Sequence, residues 1–162
     1  MPSVLFVCTG NRYRSPIAAA AFLKRLRDEG NVNGWVVGSA GTWTMPGLPP
    51  LPAAIQAAHQ YGLNIDAHIT RLVSAVELSQ YDLILVMETG HKEAIESEFP
   101  FVRNRVFLLS EVVDGIPYNI LDPLVNDESI SQELVNELCG LIQRGYQMIC
   151  QLAKDKLRFN LE

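Results

Sequence analysis

No run of apolar residues in this 162-residue sequence approaches the roughly twenty that a membrane-spanning helix needs. The N-terminal apolar stretch from Val4 to Cys8 is also too short for a signal peptide, so no membrane insertion is expected. Cysteine is scarce. There are three, without the spacing of a disulfide framework, which points to a reducing compartment and hence the cytoplasm. Basic residues are outnumbered, for a net charge of −5, and form no stripe, so nucleic acid is not an expected partner. His59, His68 and His91 lack metal-ligand spacing and read as structural or surface residues; neither a metal nor another cofactor is expected. No repeat, low-complexity tract or linker interrupts the chain.

What remains is the composition of one folded domain over residues 1–162, with 48% hydrophobic and 19% charged residues. Four short runs, Ser3–Val7, Trp35–Val37, Leu83–Met87 and Val106–Leu109, show no polar alternation. That pattern predicts strands buried on both faces, as in a parallel sheet covered by helices. Between them the sequence predicts helices over Pro16–Asp28 with Ser15 as N-cap, Pro52–Tyr61 ending at Gly62, His91–Glu98, and Ser129 to about Arg158. The alternation implies an α/β fold, a four-stranded parallel sheet in the flavodoxin-like order 2-1-3-4. Such a sheet binds ligands at the switch point beside strand 1, where the loop beginning at Cys8 lies.

That loop, Val7-Cys8-Thr9-Gly10-Asn11-Arg12-Tyr13-Arg14-Ser15-Pro16, runs from a buried strand into a helix N-terminus. Five residues separate Cys8 from Arg14, enough for the backbone to curl with its N–H groups inward. A nest of this kind, with the helix dipole behind it, binds a tetrahedral dianion and favours a nucleophilic thiolate. Gly10 is the expected site of a positive φ in the curl. Arg14 offers a planar fork to two phosphate oxygens, and Ser15 can donate a hydrogen bond to the sulfur as it leaves. Cys8 therefore reads as a phosphoryl-accepting nucleophile.

The loop resembles the V-C-x-G-N-x-C-R-S-P signature of the low-molecular-weight protein tyrosine phosphatases at every fixed position but one. The likeness continues through Gly38-Ser39-Ala40-Gly41-Thr42, His68-Ile69-Thr70-Arg71, Asp82 to Met87 and Asp122-Pro123. The resemblance implies a phosphotyrosine phosphatase I type fold and a phosphomonoester hydrolase working through a phosphocysteine at Cys8. It implies Arg14 as phosphate ligand, Asn11 as the residue holding the loop's shape, and Asp122 as general acid and base. Thr9, Gly10, Asn11, Arg12, Tyr13, Ser15 and Trp43 complete the expected phosphate and substrate contacts. The implied partners are a phosphoprotein, with phosphotyrosine the first expectation, and an opposing kinase; a monomer or weak dimer is expected. The segment from Glu111 to about Glu128 reads as a long loop that carries Asp122 to the same sheet edge as Cys8.

The chain departs from the signature at Tyr13, where the family has a second cysteine that can protect the nucleophile as a disulfide; that protection is expected to be lost. Arg12 replaces a small or aliphatic residue, placing a cation either at the pocket rim, where phosphoarginine would be disfavoured, or in solvent. Leu124 and Val125 stand where relatives carry aromatic pocket walls, leaving Trp43 or Tyr118 as candidates for that part. Glu88, where relatives often have Asp, is expected to make a structural hydrogen bond. Cys139 and Cys150 read as core packing residues of the last helix. Two other functions fit the fold. Arsenate reductases need relay cysteines that residues 82–105 lack, and a non-catalytic phosphate-binding module would leave the loop chemistry unused.

Overall fold

The computed structural model describes residues 1–123 and 128–161. Strands β1 (Ser3–Cys8), β2 (Val36–Gly41), β3 (Leu83–Val86) and β4 (Val106–Leu108) form one sheet in the order β2-β1-β3-β4, as the sequence predicts. All three pairings are parallel, and the register sets Cys8 beside Gly41 and Val7 beside Val86. Because side chains alternate along a strand, Val4, Phe6 and Cys8 face one layer while Leu5 and Val7 face the other. Both layers are apolar, which is why the strands carry no alternation of polar residues.

The first layer holds α1 (Arg14–Asp28), α2 (Pro52–Gln60), α5 (Leu109–Asp114) and α6 (Glu128–Leu161). Phe22 anchors it, its ring 5.9 Å from Phe6, 5.5 Å from Trp35 and 5.6 Å from Tyr146. Deleting so enclosed a ring costs about 3–5 kcal/mol. The second layer is built on α3 (Ala75–Ser79) and α4 (Thr89–Glu98), through Leu78 and Ile95. Cys139 and Cys150 of α6 are half-buried against the first core, and burial pushes both thiols up.

Several boundaries differ from the sequence expectation. Helix α1 begins at Arg14, with Tyr13 rather than Ser15 in the N-cap position. The Ser15 hydroxyl is turned toward Cys8 instead of capping the helix. Trp35 precedes β2, which instead runs on through Gly38-Ser39-Ala40-Gly41, a stretch too rich in small residues to read as a strand. Leu109 opens α5 rather than closing β4, and α5 takes the first part of the expected loop after Glu111. Met87 lies beyond β3, yet its N–H still donates to the Val7 carbonyl.

Candidate active site

The loop from β1 into α1 wraps around the Cys8 sulfur. The Asn11 N–H points at Sγ from 3.3 Å, and Ser15 Oγ lies 3.0 Å away. The hydrogen of Ser15 can be placed from its neighbours. Asn11 Nδ2 donates to Ser15 Oγ at 2.8 Å, so the serine accepts there and keeps its own hydrogen for Sγ or the more distant Ala40 carbonyl.

The left-handed residue of the curl is Asn11, at φ 56°, not Gly10 as the sequence reading had it. Asparagine tolerates that region, and here its side chain is used in full. Nδ2 also donates to Ser39 Oγ at 2.9 Å, and Oδ1 accepts from the Arg71 N–H at 2.9 Å. The Asn11 carbonyl accepts from His68 Nε2 at 2.7 Å. Burial, helped by the Arg71 charge, lowers the His68 pKa against the opposing pull of that hydrogen bond.

Arg14 is 1% exposed, a burial that arginine accepts only when paired. Its Nη1 donates to Glu88 Oε2 and to the Ile120 carbonyl, both at 2.7 Å. Nη2 lies 3.5 Å from Thr9 Oγ1. Nε has no hydrogen-bond acceptor among the described residues; its near neighbour is Asp122 Oδ1 at 3.7 Å. The side of the guanidinium carrying Nε is thus left for an anion, while the Nη1 side is locked. The Asp122 side chain itself is mostly exposed.

Glu88 sits at the N-cap of α4, one residue past the end of the buried run, and its N–H donates to His91 Nδ1 at 3.1 Å. His91 Nε2 in turn lies 2.8 Å from Thr9 Oγ1. Burial first, and the Arg14 charge second, push the His91 pKa down to about 4 against the attraction of Glu88. The sequence reading treated His91 as a structural or surface histidine; it is buried at the edge of the site. The sequence signal that could have found it is the Glu88-x-x-His91 spacing directly after a strand, a capping pattern that points both groups back at the sheet edge.

The segment after β2 is bound to the same loop by its backbone. Thr42 N–H donates to the Cys8 carbonyl and Trp43 N–H to the Thr9 carbonyl, each at 3.0 Å, leaving the Trp43 side chain 83% exposed. A second set of bonds ties this segment to residues 70–73. Gly41 N–H donates to Arg71 O at 2.8 Å, Val73 N–H to Gly41 O at 2.9 Å, and Gly47 N–H to Thr70 O at 2.9 Å. Gly41 is obligatory, since a Cβ there would lie 2.5 Å from the Thr9 carbonyl oxygen.

The structure therefore brings together Cys8, Thr9, Asn11, Arg14, Ser15 and Asp122, with Trp43 fixed beside them. Arg12 turns toward the neighbouring loop, where its Nε donates to the Pro49 carbonyl at 2.8 Å. Tyr13 packs into the first core, where burial pushes its phenol up, so only its backbone is open to a ligand. Tyr118 is held by its hydroxyl to Asp114 at 2.7 Å rather than presented as a wall. Leu124, Val125, Asn126 and Asp127, on which the expected change in the acid loop falls, lie outside the described residues.

Residues 3–158 match the family described as low molecular weight phosphotyrosine protein phosphatase. The chain is 35% identical over 154 residues to a protein-arginine-phosphatase of Bacillus subtilis strain 168, covering 94% of this chain and 98% of the relative. It is 32% identical over 145 residues to the low molecular weight protein-tyrosine-phosphatase Etp of Escherichia coli K12, covering 90% of each. Among solved structures, a low molecular weight protein tyrosine phosphatase from Bacillus subtilis superposes with a TM-score of 0.84 at 31% identity, over 92% of this chain and 97% of that one. The YwlE arginine phosphatase, in a mutant with a phosphorylated active-site serine, gives 0.82 at 32% identity over 94% of each chain.

Proposed function

This chain belongs to the low molecular weight phosphotyrosine protein phosphatase family, and we propose that it hydrolyses phosphomonoesters on proteins through a phosphocysteine at Cys8. The observation that carries the proposal is Arg14: a fully buried guanidinium at the end of the loop that Cys8 opens, with Nη1 locked and Nε without a hydrogen-bond acceptor among the described residues, 3.7 Å from Asp122.

In this reading the phosphoryl group lies over Sγ with its oxygens on the loop N–H groups and on Arg14 Nε and Nη2. The Cys8 sulfur attacks phosphorus as the P–O bond to the leaving group breaks, and Asp122 gives its proton to the departing oxygen. Asp122, now ionised, takes a proton from water; the water oxygen attacks phosphorus, the P–S bond breaks, and inorganic phosphate leaves. The Ser15 hydroxyl, 3.0 Å from Sγ, donates its hydrogen to the thiolate and stabilises it as it is released. Asn11 keeps the loop in its left-handed curl throughout. A free thiol at Cys8 requires a reducing surrounding, which supports a cytoplasmic location, and a protein phosphatase implies an opposing kinase.

The proposed substrate is phosphotyrosine. Trp43 supports this, because its exposed indole is carried on backbone bonded to the phosphate loop and offers a flat partner to an aryl ring. Arg12, bonded to the Pro49 carbonyl, gives no contact that selects between phosphotyrosine and phosphoarginine, and one relative bears the name protein-arginine-phosphatase. The test is hydrolysis of para-nitrophenyl phosphate by wild type and Cys8→Ser with a chelator present, then of matched phosphotyrosine and phosphoarginine peptides. Activity abolished in Cys8→Ser, with phosphotyrosine the better peptide, is expected. Activity surviving in Cys8→Ser overturns the mechanism, and preference for phosphoarginine overturns the substrate.

A further inference from the structure

The Thr9 hydroxyl has its hydrogen directed by its neighbours. The Glu88 backbone N–H can only donate, so His91 Nδ1 must present a lone pair. A neutral His91 then carries its hydrogen on Nε2 and donates it to Thr9 Oγ1, 2.8 Å away. Arg14 Nη2, at 3.5 Å, faces the same oxygen and is also a donor. With donors on both acceptor sides, the hydroxyl hydrogen must leave Oγ1 in a third direction. Capping of α4 accounts for the Nδ1 bond, but it gives no reason for Nε2 to meet a side chain of the phosphate loop.

We propose that Thr9 Oγ1 donates its hydrogen to a nonbridging oxygen of the bound phosphoryl group, beside Arg14 Nη2, and that His91 is the positioning residue that imposes this direction. The inference rests on the phosphatase reading of the site. The loop then binds phosphate through a side-chain hydroxyl as well as through backbone and guanidinium donors. Without His91, Thr9 could rotate and turn its hydrogen away from the phosphoryl oxygen.

The experiment measures inhibition by inorganic phosphate, with para-nitrophenyl phosphate as substrate, in Thr9→Val, Thr9→Ser, His91→Ala and the Thr9→Val/His91→Ala double variant. Loss of a hydrogen bond to a charged oxygen predicts roughly tenfold weaker phosphate inhibition in Thr9→Val, with Thr9→Ser within about threefold of wild type. His91→Ala should weaken inhibition about fivefold alone and less than about twofold when valine already occupies position 9. Unchanged inhibition in Thr9→Val overturns the proposal. So does an undiminished His91→Ala effect in the valine background, which would mean that His91 does not act through Thr9. Should thermal melts show that His91→Ala is unfolded, the Val–Ser comparison at position 9 still decides the hydroxyl. Wild-type activity that Cys8→Ser abolishes, combined with an inert Thr9→Val, defeats this inference alone; activity that persists in Cys8→Ser defeats the underlying reading.

Discussion

Arg14 Nη1 and Glu88 Oε2 lie 2.7 Å apart, an ion pair that joins the first turn of α1 to the start of α4 across the mouth of the sheet. Its arginine end is buried and its carboxylate partly open. Removing one partner of such a pair strands the other charge, a loss that reaches about 3–5 kcal/mol when both are fully buried. Glu88→Ala should therefore lower both the melting temperature and turnover of para-nitrophenyl phosphate, the latter roughly tenfold or more, as Arg14 loses its fixed direction. Glu88→Gln keeps an acceptor for Nη1 and should lose less on both counts. Wild-type kcat in Glu88→Ala would show that Ile120 alone suffices to hold the guanidinium.

Gly41 and Gly10 should respond oppositely to alanine. A methyl at Gly41 meets the Thr9 carbonyl at 2.5 Å and Asn11 Cβ at 3.1 Å, so the phosphate loop must shift. Overpacking of this kind costs about 1–3 kcal/mol, and activity should fall with it. At Gly10 the added methyl enters open space, and the backbone is not left-handed. Gly10→Ala should keep the wild-type melting temperature, whatever it does to phosphate binding. Equal melting losses in the two variants would contradict the positions of these loops.

The buried His91 makes stability fall in acid. Its pKa is near 4 in the fold and about 6.5 when unfolded, so between those values the unfolded chain takes up a proton that the native one refuses. The stability tied to the neutral ring is fully present above pH 6.5 and is lost as pH falls toward 4, by up to about 3 kcal/mol. His68, also lowered, acts in the same direction. Urea melts from pH 7 to pH 4 should show a shallower decline for His91→Asn than for wild type. Parallel curves would mean that His91 is protonated in the native state.

Oxidation should leave Cys8 without a partner. Tyr13 occupies the position of the family's second cysteine, and the two remaining thiols are on α6, held in the first core. Peroxide should drive Cys8 along the oxidation series without an intramolecular disulfide, visible by intact mass. Tyr13→Cys should form the disulfide and recover activity with thiol more completely than wild type. A disulfide from Cys8 to Cys139 or Cys150 in the native protein would refute this.

Much of this architecture is legible in the chain. The unbroken apolar runs Ser3–Val7 and Leu83–Met87 predict strands covered on both sides, which form apart from Met87, and the 2-1-3-4 order puts the Cys8 loop at the switch point. Other features depend on contacts distant in sequence. Asn11 rather than Gly10 takes the positive φ because Ser39, His68 and Arg71 hold it there, and none of these is a neighbour in the chain. Ser15 reads as a cap because local sequence cannot show that its hydroxyl is taken by a sulfur at the end of β1. Helix α5 is only six residues long and opens on Leu109, which directly continues the apolar run of β4 and so reads as part of the strand. His91 reads as a structural or surface residue because, taken for metal-ligand spacing, it has no companion; its pattern is the capping pair with Glu88, whose meaning depends on the fold.

The bonds that tie Gly41 and Gly47 to residues 70–73 have an evolutionary consequence. Apart from Gly41, which admits no Cβ, and the buried Thr70, whose hydroxyl joins the two segments, they use backbone atoms, so the exposed side chains can vary while the frame is inherited unchanged. Trp43, Met45 and Ile69, all exposed on that frame, can be replaced without disturbing the reacting sulfur. Selectivity and reactivity can then drift as separate traits, and a lineage can change what it dephosphorylates one surface residue at a time.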